Sequence, residues 1–186
     1  MNPYSLSEIH ASLVDMDRQV YEYFAGIPSQ DFFQHPAGVW SPAENLAHLS
    51  ISVRPVTLAL RVPRRVSGLI WGSPGHSRPF PELVAAYRAA LGQGGVAPAQ
   101  FVAEVDDQPA DPQAAQQKLL ESWRKDASRL EAAAATWQDE DLDKAAVPHP
   151  LLGKLTLREL LFFTLYHNLH HINDVRGLLG ASPLEW

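Results

Sequence analysis

Residues 156–180 read TLRELLFFTLYHNLHHINDVRGLLG, and this stretch decides the fold class. Thr156 precedes Glu159 by three positions, a pattern in which each side chain bonds the other residue's backbone N–H group at the start of a helix. Apolar residues then recur at three- and four-residue spacing until a glycine ends the stretch. The sequence therefore predicts a long helix over residues 157–179 with one apolar face.

Similar start signals precede three more stretches of helical periodicity. These signals are Ser5 with Glu8, Ser41 with Glu44, and Asp111 before Pro112. Residues 63–110 join the second helix to the third and are rich in Gly and Pro, with one short helix expected over residues 81–91. Strands have little support, although residues 101–105 alternate briefly. We therefore predict a single all-α domain over residues 1–186, a four-helix bundle with a long crossover connection between helices two and three.

The composition removes several classes of protein. The chain has 186 residues, enough to bury a core without disulfides, and it contains eight His and no Cys. Without a thiol it is not a cysteine hydrolase, a CxxC redox protein, a zinc finger or an iron–sulfur protein. Soft-metal chemistry must therefore use imidazole, and thiol chemistry must use an external thiol.

The charge balance and hydropathy bear on partners and location. The formal net charge of −6 argues against the phosphate backbone as a main partner, so we expect no nucleic-acid partner. Residues 1–10 lack the basic and apolar regions of a leader, and no stretch is apolar enough to span a membrane. We expect a cytoplasmic protein without a membrane partner. One group of arginines either receives a substrate carboxylate or phosphate or is a solvated surface: Arg54, Arg61, Arg64 and Arg65.

Two histidines of the last helix share a face. His167 and His171 are four residues apart, so their β-carbons lie about 6 Å from each other. Leu160 and Val175 fall on the same side, which places that face inward. Buried imidazoles need partners for a donor and an acceptor, and the pair either finds them in the core or binds an ion. His170 points about 60° away from His167 and is a flanking residue.

A third histidine favours the ion. His48 lies near the start of helix two among apolar residues, and taken alone it is more often an ordinary core or surface histidine. Three inward-facing histidines on two long helices are a better signal, because facing helices of bundles build metal sites in their cores. Three neutral nitrogens also leave a coordination position open, as in catalytic rather than structural sites.

These residues resemble a known family. The pattern Trp40-Ser41-x-x-Glu44-x-x-x-His48-Leu49 and the His-x-x-His-His set at residues 167–171 look like those of the DinB/YfiT-like superfamily of four-helix-bundle metalloproteins. The resemblance implies that His48, His167 and His171 bind a divalent ion. It also implies that the relatives of this chain include thiol-dependent transferases and isomerases. Residues 172–177 depart from a common variant with Arg-Gly-Gln after the final His, which leaves subfamily and substrate open.

The candidate ligands leave several chemistries open. A bound ion can lower the pKa of water, polarise a carbonyl or bind a thiolate. A zincin protease is excluded, because Asn168 stands where its general base Glu would follow the first His. Glu44, on the face of His48, is either a base or only part of a helix cap. Asp174 either orients His171 or is an exposed acid.

Two functions are compatible with these residues. The first is a metal-dependent transferase or hydrolase that acts on a small-molecule substrate, with a low-molecular-weight thiol as a candidate co-substrate. The second is a non-catalytic metal-binding or stress-response module with the same bundle. Zinc or nickel is expected as the ion, with iron or manganese as alternatives. A homodimer is expected if the crossover aromatics Trp71, Phe80 and Tyr87 are exposed.

Overall fold

The computed structural model describes residues 2–72 and 74–185, and for Arg64, Arg65 and Trp71 it describes the backbone alone. Most of the chain is helical, as predicted. The helices are α1 (Leu6–Ala25), α2 (Ser29–Phe32), α3 (Pro42–Arg61), α4 (Arg64–Trp71), α5 (Phe80–Gly92), α6 (Pro112–Ala134) and α7 (Leu157–Leu178). Single 3₁₀ turns cover Ala99–Phe101 and Asp139–Asp141. A two-stranded antiparallel hairpin is formed by β1 (Ala146–His149) and β2 (Gly153–Thr156).

The predicted helix starts are confirmed. Ser5, Ser41 and Thr156 each accept a hydrogen bond from the backbone N–H of the Glu three residues later, and the carboxylate of that Glu accepts one from the backbone N–H of the cap residue. Asp111 caps α6 by accepting from the Ala114 backbone. The short helix predicted over residues 81–91 is α5 and extends one residue further at each end.

The connection between α3 and α6 is more structured than the sequence predicted. It contains the unpredicted helix α4 as well as α5, while residues 101–105 form no strand. Strands had little support in the sequence, and the structure adds one short hairpin after α6. Its strands are only four residues long and its turn uses Gly153 at a φ of 71°, so it lacks the alternating pattern of longer strands. Thr156 ends β2 and caps α7, so the hairpin sets where α7 begins.

The four long helices share one core. Helix α3 packs against α6 and α7, α1 packs against the same two helices, and α5 covers another part of α7. Their stripes supply fully buried side chains such as Phe24, Leu46, Trp123 and Phe162. Apolar burial on this scale is the main term that stabilises a fold.

Two of the three crossover aromatics, Phe80 and Tyr87, do not form the surface on which a homodimer was expected. Phe80 and Tyr87 are buried within the chain, at 5% and 4% exposure, and the side chain of Trp71 lies outside the described residues. The burial of Phe80 and Tyr87 therefore does not support a homodimer, which stays a prediction. Among the residues that the structure describes, no helix combines the length and the hydropathy needed to cross a lipid bilayer.

Candidate metal centre

Three imidazoles meet between α3 and α7. His48 projects from α3, and His167 and His171 project from successive turns of α7. The Nε2 atom of His167 lies 3.1 Å from Nε2 of His48 and 3.1 Å from Nε2 of His171. All three side chains are buried. The structure therefore brings together the three histidines that the sequence singled out, and it leaves His170 beside them on the flank.

A backbone carbonyl determines the tautomer of His48. The Nδ1 atom of His48 lies 2.6 Å from the carbonyl oxygen of Phe101, in the 3₁₀ turn before α6. A carbonyl oxygen only accepts hydrogen bonds, so Nδ1 is the nitrogen that carries the proton. In the neutral ring, Nε2 then carries the lone pair, which faces the other two histidines and has the Ser52 hydroxyl 3.4 Å away.

The side-chain amide of Asn45 determines the tautomer of His171. Its Nδ1 atom lies 2.7 Å from Oδ1 of Asn45. The amide orientation follows from the other end of Asn45, where Nδ2 donates to the carbonyls of Ser41 at 2.9 Å and Trp40 at 3.3 Å. Since Oδ1 only accepts, Nδ1 of His171 donates and its Nε2 lone pair also faces the cluster.

This arrangement of protons fits a metal ion. Two of the three facing nitrogens have no hydrogen, and the neutral His167 ring can supply at most one N–H between them. A divalent ion would instead accept all three lone pairs. Nitrogens bound tetrahedrally to zinc at about 2.0–2.1 Å lie roughly 3.4 Å apart, so the 3.1 Å separations require only a small expansion.

Burial keeps the cluster in its metal-binding protonation state. The pKa values of His167 and His171 lie well below the ordinary 6.5, first because burial disfavours the charged ring and then because neighbouring histidines repel it. Burial also lowers the pKa of His48, although its bond to Phe101 acts in the opposite direction. Near neutral pH the three rings are therefore neutral, and metal binding releases no proton from them.

Aromatic rings hold the cluster in place. The ring of Trp40 is stacked on that of His171 with centroids 5.9 Å apart, and it also lies 4.8 Å from the ring of His48. Phe163 is stacked on His167 at 4.9 Å. These contacts restrict ring rotation, which preorganises the three nitrogens.

A cavity of about 790 Å³ adjoins the cluster, and all three histidines line it. This volume lies within the roughly 300–1,000 Å³ of small-molecule sites. An ion on the cluster would therefore stand in the wall of a cavity large enough for a substrate.

The two acidic candidates differ in position. The Glu44 carboxylate accepts a hydrogen bond from the Ser41 backbone at 2.7 Å and completes the cap of α3. Asp174 lines the cavity, and its Oδ2 atom lies 3.4 Å from Nε2 of His170 and 3.6 Å from Nδ1 of His171. Asp174 is thus the acid nearer the cluster, but Asn45 is closer to His171 than Asp174 is.

Besides Phe163, three residues that contribute to the site were not predicted from the sequence. Asn45 had a usable signal, because an amide three positions before His48 on a helix face that turns inward must find partners. The Phe101 carbonyl had none, since every residue carries one. His149 was assigned no role, yet it lies in β1 and lines the cavity.

Neither of the two described arginine side chains of the predicted group lies at the cavity. Nε of Arg54 pairs with Asp126 at 2.8 Å, and Arg61 is exposed; neither lines the cavity. The side chains of Arg64 and Arg65 lie outside the described residues. The described arginines therefore do not support a substrate-anion site.

The buried histidines predict a stability that depends on pH. Burial lowers the pKa of His149 to about 4, from 6.5 in an unfolded chain, and lowers those of His167 and His171 as well. Below pH 6.5 the unfolded chain therefore binds more protons than the folded one. We expect the free energy of unfolding of the metal-free protein to fall from pH 6.5 towards about pH 4, by up to about 1.4 kcal/mol per pH unit for each such ring.

Urea denaturation across that pH range, in the presence of a chelator, measures this dependence. His149→Phe should lower the slope, while His35→Phe, at an exposed position, should keep it. A free energy of unfolding that is constant between pH 6.5 and about 4 would contradict the prediction.

Comparison with known proteins gives one family. A family model described as the DinB superfamily matches residues 13–175, which reach from α1 to α7 and include all three histidines of the cluster. No curated protein and no solved structure matches the chain.

Proposed function

Because the chain belongs to the DinB superfamily, we propose that its four long helices form a four-helix bundle around a divalent ion held by His48, His167 and His171. The observation that carries this proposal is the convergence of three buried Nε2 atoms, two of which have their lone pairs directed inward by Phe101 and Asn45. Zinc or nickel suits three imidazoles, with iron or manganese as alternatives.

We further propose that the protein is a metal-dependent transferase or hydrolase that acts on a small molecule in the adjoining cavity. An ion with three protein ligands has an open position, and there it supplies Lewis acidity to a carbonyl, water or thiol. The chain has no thiol of its own, so a thiol nucleophile must be a small external molecule.

The chain's own residues would prepare this chemistry. Asn45 and the Phe101 carbonyl orient two imidazoles, while Trp40 and Phe163 exclude water from their faces. Asp174 is the candidate to accept a proton, because its carboxylate lines the cavity, whereas Glu44 is engaged in the cap of α3.

Elemental analysis after reconstitution tests the metal site. We expect about one divalent ion per chain, and turnover of activated esters with a small thiol that a chelator abolishes. A protein that binds no zinc, nickel, iron or manganese after reconstitution would refute the proposal. A protein that binds the ion but turns over none of these substrates would instead support the non-catalytic binding module.

A further inference from the structure

The wall of the cavity is mainly apolar. Helix α3 contributes Val56, α5 contributes Leu91, β1 contributes Val147 and α7 contributes Leu160. The residues before α6 contribute Val102. An apolar wall of this kind contacts a ligand through non-directional burial, so it favours an apolar ligand body.

The described side chains of the cavity wall include no Lys or Arg that would pair with an anionic ligand. The one carboxylate among them is that of Asp174. Nearby arginines are engaged elsewhere: Arg88 donates to the hydroxyl of Tyr166 at 2.7 Å, and Arg54 pairs with Asp126. A carboxylate or phosphate placed against this wall would lose its hydration without gaining a counter-ion from those side chains.

Among the rings in the wall that can donate a hydrogen bond, His149 has the position of its proton defined by its neighbours. Nδ1 of His149 accepts from the backbone N–H groups of Leu151 and Leu152, both at 3.2 Å, in the turn of the hairpin. Nδ1 is therefore the unprotonated nitrogen, and in the neutral ring Nε2 carries the hydrogen. Within the described part of the chain, Nε2 of His149 makes no hydrogen bond, although the ring lines the cavity. This N–H group is thus available to a ligand.

We propose that the cavity binds an uncharged, largely apolar small molecule with an oxygen acceptor, of carbonyl or ether type, that receives a hydrogen bond from Nε2 of His149. The inference rests on the proposed function in taking this cavity as the substrate site. It narrows the substrate class of that function to molecules without carboxylate or phosphate groups. A thiol with carboxylate groups is then a poor fit, and a small apolar thiol is a good one.

Two fluorescent probes of the same shape test the charge selectivity. N-phenyl-1-naphthylamine is neutral, and 8-anilinonaphthalene-1-sulfonate adds one sulfonate to the same rings. We expect the full metal-free chain to bind the neutral probe at least about tenfold more tightly, because the described side chains of the cavity offer the sulfonate no Lys or Arg. Equal affinities, or tighter binding of the sulfonate, would overturn the inference.

A substitution that should increase binding of the anionic probe tests whether the charge selectivity arises in this cavity. Val102 lines the cavity and is 45% exposed, whereas Val14 on α1 is 46% exposed and does not line it. Val102→Lys should raise the affinity for the sulfonate relative to that for the neutral probe by about tenfold and should fold as the parent does. Val14→Lys is the matched control and should change neither affinity. Equal effects of the two substitutions would place the probe outside this cavity and overturn the inference.

A third probe tests the hydrogen bond. Prodan is neutral and has a single carbonyl, whose acceptance of a hydrogen bond shifts its emission to longer wavelength. His149→Asn keeps a side-chain acceptor for the hairpin N–H groups but removes the Nε2 donor. We expect this variant to lower the affinity for prodan about 2- to 10-fold relative to that for N-phenyl-1-naphthylamine, which has no carbonyl, and to shift the prodan emission to shorter wavelength. Unchanged prodan affinity and emission would contradict the role of His149.

The proposed ligand class and the proposed metal centre can be refuted independently. A chain that binds zinc but neither neutral probe refutes the ligand class and leaves the metal centre standing. A chain that binds both neutral probes but no metal refutes the metal centre alone.

Discussion

Replacing His171 by alanine is expected to weaken binding of a divalent ion by more than about 100-fold. The reason is that only two imidazoles would remain, whereas loss of an outer hydrogen bond to a ligand costs roughly 10- to 100-fold. Asn45→Leu should fall within that smaller range, because it removes the amide oxygen that lies 2.7 Å from Nδ1 of His171 but keeps all three rings. Competition with a chromogenic chelator measures both affinities.

His170→Ala is the matched control for His171→Ala. His170 is adjacent in sequence and also lines the cavity, but its Nε2 faces Asp174 at 3.4 Å rather than the three converging nitrogens. We expect this variant to bind zinc as the parent does. If His171→Ala retained the parental affinity, or if His170→Ala lost it, the assigned ligand set would be wrong.

Replacing Arg158 by leucine is expected to lower the free energy of unfolding by about 3–5 kcal/mol. Arg158 is 1% exposed at the start of α7, and its guanidinium pairs with Asp143 at 2.8 Å and with Asp139 at 3.1 Å. It also donates to the backbone carbonyls of Tyr4 and Asp139. Removing the cation takes this donor from all of these acceptors, among them the mostly buried carboxylate of Asp143, and removing one partner of a buried ion pair is the costly way to break it.

Thermal and urea denaturation measure this effect. For a chain of this size, a loss of about 3–5 kcal/mol lowers Tm by roughly 10 °C. Arg129→Leu is the control, since Arg129 is about half exposed and its partner Asp126 keeps the shorter contact with Arg54. We expect it to change the free energy of unfolding by less than about 1 kcal/mol. A similar small change for Arg158→Leu would show that the buried cluster does not secure α7.

The helices were predictable because their signals are local. A capping box joins residues three apart, and the apolar stripe repeats within each turn, so Ser5, Ser41 and Thr156 mark their helix starts without any knowledge of the fold. The hairpin had no such signal. Its pairing of Ala146 with Thr156 becomes favourable only when α7 and the 3₁₀ turn of residues 139–141 are in place around it.

The helical class and the shared face of His167 and His171 follow from local spacing, since the position along a helix decides which side chains share a face. Only the tertiary structure decided which nitrogen of each ring faces inward. The Nδ1 proton of His48 is set by the Phe101 carbonyl, 53 residues away in the chain. The Nδ1 proton of His171 is set by Asn45, 126 residues away. The same holds for the mainly apolar cavity and for His149 in its wall. Such contacts form between segments distant in the chain, so their partners are defined by packing and not by local pattern.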